Sequence, residues 1–154
     1  MKIGCFLLLT TGLLVVAEGH GKAAAPMGDL DKLQGTWLTV SLVSDGKTLV
    51  DEKDPPKEGP TTKLAYEGDR WMVKVGDKTV ASGTTKIDST KTPKEIDVMD
   101  ESGMQNGKTK FGIYELDEDM YKYCLAPAGK PRPTEFASKA GSGHSLGVSK
   151  REKP

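Results

Sequence analysis

The chain has 154 residues, with 22 basic side chains set against 22 acidic ones. This balance lacks the basic excess that nucleic acid or an anionic membrane surface selects for, and the length suits one domain with a real core. Two histidines and two cysteines, with no H-x-x-x-H and no paired cysteines, exclude the common zinc sites.

Met1-Lys2 opens the chain with a positive charge, and Ile3 to Val16 then run without one (IGCFLLLTTGLLVV). Val15-Val16-Ala17 places small or modest side chains before a cut after Ala17, the pattern of a secretory signal. The run is shorter than the ~20 apolar residues that a bilayer requires, and Glu18 ends it abruptly. Cys5 lies inside the run instead of at its C-terminal end, which excludes lipoprotein attachment. The expectation is a signal peptide over 1–17, a flexible lead-in over 18–28 (EGHGKAAAPMG) and one domain over 29–154. That domain is expected in the periplasm or outside the cell, as a monomer with no stable membrane insertion after cleavage. Cys5 departs with the signal, so Cys124 stands unpaired and packing must hold the fold.

Asp29 to Leu33 (DLDKL) has the makings of one helical turn, with an aspartate suited to capping. Short β-type runs follow at Thr36–Val43, Lys47–Val50, Thr62–Tyr66, Arg70–Val75, Lys78–Ser82 and Thr84–Ile87. They continue at Glu95–Asp100, Lys108–Leu116, Met120–Ala126, Glu135–Ser138 and Ser145–Lys150. Asp45-Gly46, Glu67-Gly68-Asp69, Gly76-Asp77, Asn106-Gly107 and Asp117-Glu118-Asp119 separate them, residues that tolerate the positive φ of hairpin turns. Alternation is plain in Trp71, Val73 and Val75, in Leu64 and Tyr66, and in Tyr121, Tyr123 and Leu125; each set marks one buried face. The first strand (LQGTWLTVSLV) alternates poorly, as a strand does when it is covered on both sides or bends at a closure. Prolines in DEKDPPKEGP and in APAGKPRP (126–133) mark loops. Many short strands without helical periodicity predict an all-β, antiparallel sandwich or barrel.

Asp31-Lys32-Leu33-Gln34-Gly35-Thr36-Trp37, followed by Ser44-Asp45-Gly46-Lys47, resembles the opening of an uncharacterised domain family abundant in planctomycete bacteria. Gly83-Thr84, Lys94-Glu95-Ile96-Asp97, Gly112-Ile113-Tyr114-Glu115-Leu116 and Leu125-Ala126-Pro127 extend the likeness. So do Arg132-Pro133-Thr134-Glu135-Phe136, Gly141-Ser142-Gly143 and Lys150-Arg151-Glu152. The resemblance implies an antiparallel up-and-down, lipocalin-like β-barrel of about eight to ten strands in an extracytoplasmic compartment, and no reaction. Gly35-x-Trp37 is also similar to the signature that opens the first strand of lipocalins. There the glycine lets the backbone pass closely and the indole plugs one end of the barrel. The likeness implies a basic partner stacked on Trp37, with Arg151 at the suitable place and Lys150 beside it.

One catalytic pattern occurs. Gly143-His144-Ser145-Leu146-Gly147 satisfies G-x-S-x-G, which works at a strand–turn–helix junction with an acid and a histidine following. After Gly147 the sequence offers seven residues and no histidine, so the match reads as chance in a loop leading to the last strand, and no catalytic residue is expected. Asp117-Glu118-Asp119 and Asp97/Asp100-Glu101 lack calcium-loop spacing and read as charged hairpin tips; no metal or cofactor is expected. Binding is the function that remains. Trp37, Tyr66, Trp71, Tyr114, Tyr121 and Tyr123 are the large groups expected to point into the barrel, as core or as the wall of a ligand site. The expected ligand is small and partly apolar, or a cell-envelope component. The alternatives are a filled barrel that serves as a structural or protein-interaction module, presenting its hairpin loops and the 126–133 segment, and, less so, a hydrolase.

Overall fold

The computed structural model describes residues 28–54, 60–102 and 105–153. The signal peptide expected over 1–17, with Cys5, and the lead-in as far as residue 27, with His20, lie outside the described residues. The described chain is one short helix and nine strands: α1 (Asp29–Leu33), β1 (Gly35–Ser44), β2 (Lys47–Val50), β3 (Thr62–Glu67), β4 (Arg70–Val75), β5 (Lys78–Asp88), β6 (Lys94–Asp100), β7 (Thr109–Leu116), β8 (Met120–Leu125) and β9 (Ser145–Arg151).

Consecutive strands from β3 to β9 pair antiparallel, and β9 returns to pair with β1 while β1 pairs with β3. This closes an eight-strand, up-and-down, lipocalin-like barrel in which β2 is an extra strand on the far half of β1. Closure pairs the barrel strands on both sides and removes the open edges that would otherwise invite aggregation, leaving β2 paired on one side. The antiparallel order puts the turns at residues 68–69, 89–93 and 117–119 at one end, together with α1. The turns at 45–46 and 76–77, residues 101–102 and 105–108, and the loop at 126–144 lie at the other.

Register sets which side chains face inward. Trp71 pairs with Tyr66 and Gly83, Gly83 with Asp100, and Tyr121 with Ser149, so each alternating set points to the same interior. The weak alternation of β1 has a local cause. A register shift against β9 between Thr39 and Ser41 inserts one residue, so the inward set changes phase from Trp37 and Thr39 to Leu42 and Ser44.

Three details differ from the sequence reading. Lys78–Ser82 and Thr84–Ile87 are one strand, because Gly83 is a point of close approach and not a break. Glu135–Ser138 forms no strand. It belongs to a strap over residues 126–144 that folds back on the outer wall of β6–β8, where Pro133 is buried. Arg132 fastens this strap, donating to the carbonyls of Ile96 (2.9 Å) and Gly112 (2.6 Å) and to Asp97 Oδ1 (2.6 Å). Under it Cys124 is fully buried and free, its Sγ 3.4 Å from the Ala137 carbonyl; burial pushes this thiol above its ordinary range. Finally, the helix is capped from within. Gly28 holds the cap position and its N–H donates to Asp31 Oδ2 at 3.1 Å, while Asp29 turns to the barrel.

Candidate functional site

The end of the barrel that carries α1 is filled. Trp37 is completely buried, and its Nε1 donates to the Leu33 carbonyl at 2.8 Å, which ties β1 to α1. Arg151, at the end of β9, lays its guanidinium 4.1 Å from the centre of the Trp37 ring. Its N–H groups go to the carbonyls of Gln34 (2.9 Å), Glu118 (2.7 Å) and Lys32. The cation is thus held by backbone dipoles and an aromatic face in a partly desolvated place, where a cation–π contact contributes most. Gly35 begins the strand at φ 102°, an angle that an L side chain rarely adopts. Tyr114 is buried beside them and donates to Asp29 Oδ2 at 2.9 Å, the same oxygen that takes Lys94 Nζ at 2.7 Å. Burial, reinforced by Asp29, pushes the Tyr114 phenol up. Burial opposes ionisation of Asp29 too, but the bonds from Lys94 and Tyr114 outweigh it and hold that carboxyl below its usual range.

Above this floor stands a tier of aromatic rings. The Tyr66 and Tyr121 hydroxyls meet at 3.1 Å, and Tyr121 lies 5.7 Å from Trp37 and 5.4 Å from Tyr123 between ring centres. Trp71 Nε1 donates to the carbonyls of Thr84 (3.1 Å) and Met99 (3.3 Å). That bond needs Gly83, whose missing Cβ would stand 1.8 Å from the Met99 oxygen. Tyr123 lies against Gly147 in the same manner, since a Cβ there would come within 2.3 Å of its ring. Burial pushes Tyr123 up to about 12 and raises Tyr66 and Tyr121 further; in Tyr66 the bond from Tyr121 offsets part of the rise.

The tier is the bottom of a cavity of about 240 Å³ that opens at the loop-bearing end. Tyr66, Trp71, Tyr121 and Tyr123 line it with Leu42, Leu64, Val73 and Val98, whereas Trp37 and Tyr114 do not reach it. The six aromatic candidates therefore divide, four to the cavity wall and two to the plug. Trp71 and the Tyr66–Tyr121 pair have their polar atoms engaged, so these side chains offer the cavity mainly carbon.

The polar exception is at the mouth. Asp100 is 3% exposed and faces the cavity from β6, with Lys110 Nζ of β7 2.7 Å from its Oδ2. The approach lies outside hydrogen-bonding angles, and Oδ2 accepts no aligned hydrogen bond. This corrects the reading of Asp97/Asp100-Glu101 as a charged tip. Asp97 and Asp100 are strand residues on opposite faces; Asp97 anchors Arg132 outside and Asp100 sits inside, while Glu101 pairs with Arg70 at 3.0 Å. Among the described residues no cluster of three His, Cys, Asp or Glu forms a metal-binding group. Asp100 and Lys110 were legible in principle. Asp100 shares parity with Ile96 and Val98, and Lys110 with Gly112 and Tyr114, so each continues an inward row.

Ser145 opens β9 at the same mouth, its Oγ 3.4 Å from Ser44 Oγ. The G-x-S-x-G stretch is thus a loop-to-strand junction in which Gly147 seats Tyr123, and His144 Nδ1 lies 3.4 Å from the Ala137 carbonyl. A larger depression of about 640 Å³ lies at the closed end, between the 89–93 turn and the outer wall of β7–β9, but charged residues such as Lys91, Lys94, Glu115, Asp117 and Lys122 line it.

No family model, curated protein or solved structure matches the chain.

Proposed function

We propose that the protein is an exported, non-catalytic binding module that takes one small, partly apolar ligand into the open half of its barrel. The observation that carries this reading is the cavity of about 240 Å³ walled by aromatic and aliphatic side chains. Its size limits the ligand. Dry apolar cavities of ~150 Å³ take up benzene, and sites for drug-sized molecules begin near ~300 Å³. A molecule of one ring with a short substituent fits between these bounds. Export is supported by the uncharged Ile3–Val16 run behind Lys2, and the compartment by the family resemblance of the mature chain. A non-catalytic role is supported by the position of Ser145 at the start of a strand, without the strand–turn–helix geometry that arms a nucleophile.

The test is a titration of the purified protein with a panel of small aromatic, aliphatic and lipid-derived molecules, followed by native mass spectrometry and tryptophan emission. Trp71 lines the cavity and Trp37 does not, so a bound ligand should change the emission of the wild type and much less that of Trp71→Phe. No binder across the panel, or a response indifferent to Trp71→Phe, would sink the proposal.

A further inference from the structure

We infer that the ligand carries a neutral hydrogen-bond donor, a hydroxyl or an amide N–H, which it sets on Asp100 while its apolar body lies against Trp71 and Tyr123. This rests on the binding reading above and adds the chemistry of the ligand's polar end.

Three observations lead to it. Asp100 is a charged side chain almost wholly removed from water, it faces the cavity, and its Oδ2 accepts no aligned hydrogen bond. Carboxylates in such places normally have their lone pairs filled by aligned donors, and here Oδ2 has only the off-axis contact with the Lys110 ammonium. Second, the indole and the paired phenols of the wall are already engaged. Trp71 Nε1 bonds two carbonyls and Tyr66 bonds Tyr121, so neither competes for a donor that enters. The Tyr123 and Ser145 hydroxyls also line the cavity, but a hydroxyl donates as readily as it accepts, so Asp100 is the lining side chain that accepts only, and what it selects is a donor. Third, Lys110 Nζ at 2.7 Å already cancels the charge of Asp100. An ammonium on the ligand would bring a second cation beside Lys110, with no second carboxylate to offset it. A neutral donor meets the oxygen without that repulsion. Asp100 also holds its position firmly. Its backbone N–H donates to the Lys108 carbonyl (3.0 Å) and its carbonyl accepts from Gly107 (2.7 Å), so the carboxylate is presented by a fixed strand end.

Ethylbenzene, benzyl alcohol and benzylamine share one ring and one chain length and differ only in a terminal methyl, hydroxyl or ammonium. Titrated into the wild type, benzyl alcohol should bind about tenfold more tightly than ethylbenzene, the gain of one hydrogen bond to a buried charge, and benzylamine more weakly than the alcohol. In Asp100→Asn the advantage of the alcohol should shrink to roughly threefold or less while ethylbenzene binds as before. Lys110→Met gives an independent reading that does not depend on the folding of Asp100→Asn. With the cation gone, benzylamine should become the tightest of the three. Equal binding of ethylbenzene and benzyl alcohol to the wild type would overturn the donor inference and leave the cavity reading standing. So would an unchanged ranking in Lys110→Met. If none of the three binds the wild type, and none of the wider panel does, the cavity reading itself falls and takes this inference with it.

Discussion

The two halves of the barrel solve the problem of buried polarity in opposite ways. In the plugged half, Trp37, Arg151, Tyr114, Lys94 and Asp29 each find a partner within hydrogen-bonding or stacking distance, and α1 closes the end with Leu33 fully buried. In the open half, apolar walls surround about 240 Å³ of empty space, and the one charged pair that faces it is held without an aligned hydrogen bond. Lining atoms that lack neighbours forgo dispersion contacts, so the open half contributes less to stability for the same number of side chains. The contrast separates scaffold from site. Stability should concentrate at Trp37 and its neighbours, and ligand selectivity at Asp100.

The sharpest way to break that division is alkaline pH, where the largest effect is expected. All four tyrosines of the chain are raised above their ordinary value of 10, burial being the first cause in each. A phenol that stays neutral when folded and ionises when unfolded binds more protons in the native state. Stability is therefore intact below pH 10 and falls as pH rises above it, by about 1.4 kcal/mol per pH unit for each such group. Absorbance at the tyrosinate band should stay flat through pH 10 while the fold persists. Tyr123, at about 12 and beside the cavity, should be the first to titrate. A normal tyrosine titration near pH 10 in folded protein would mean that the aromatic tier is wetter than its packing implies.

Next in size is truncation of the plug. Trp37→Ala should cost about 3–5 kcal/mol by denaturant unfolding, because it removes an indole with no exposed surface together with its bond to Leu33. The same kind of truncation at the mouth, Leu42→Ala, should cost about 1 kcal/mol, since Leu42 already borders open space. Equal losses at the two positions would erase the distinction between the halves.

Much of this was legible in the sequence because the barrel alternates strictly where it is regular. Trp71-Val73-Val75 and Tyr121-Tyr123-Leu125 announced their faces, and the Gly/Asp turn pairs announced the hairpins. What was hidden depended on contacts far apart in the chain. The phase change in β1 comes from a bulge whose reason lies in its pairing with β9, more than 100 residues on. Gly83 read as a break because a glycine looks the same whether it ends a strand or admits an indole. Glu135–Ser138 has strand-like composition, yet Arg132 and the outer wall of β6–β8 decide its path. The charge of Asp100 marks an exposed tip in the sequence, while its parity with Ile96 and Val98 marks the interior. A carboxylate on an inward row is a local contradiction, and such contradictions gather at functional sites.

A second unmet polar atom tests whether that inference is specific. Ser149 Oγ is fully buried in the plugged half, opposite Tyr121, and also has no partner. A hydroxyl there costs its desolvation and faces no cavity. Ser149→Ala should be neutral or stabilise the fold by up to about 1 kcal/mol, with benzyl alcohol binding unchanged. A loss of binding in this variant would show that an unmet polar atom anywhere in the barrel affects uptake, and Asp100 would lose its special standing.

The smallest expected effect belongs to Ser145, and it bears on both what the protein does and where its ligand sits. Its Oγ makes only a long contact of 3.4 Å with Ser44, so Ser145→Ala should change stability by less than about 0.5 kcal/mol. Ser145 also lines the cavity mouth, which makes it the rival to Asp100 for a ligand's polar end. A hydroxyl that accepts as readily as it donates would favour no particular ligand terminus, whereas a carboxylate accepts only. Benzyl alcohol should therefore bind Ser145→Ala within about twofold of wild type, since a weak neutral contact is worth little beside a bond to a charge. A tenfold loss would move the polar subsite from β6 to β9. Loss of an ester-hydrolysing activity in the same variant would overturn the non-catalytic reading, because no other role of this serine in the structure connects it to bond cleavage.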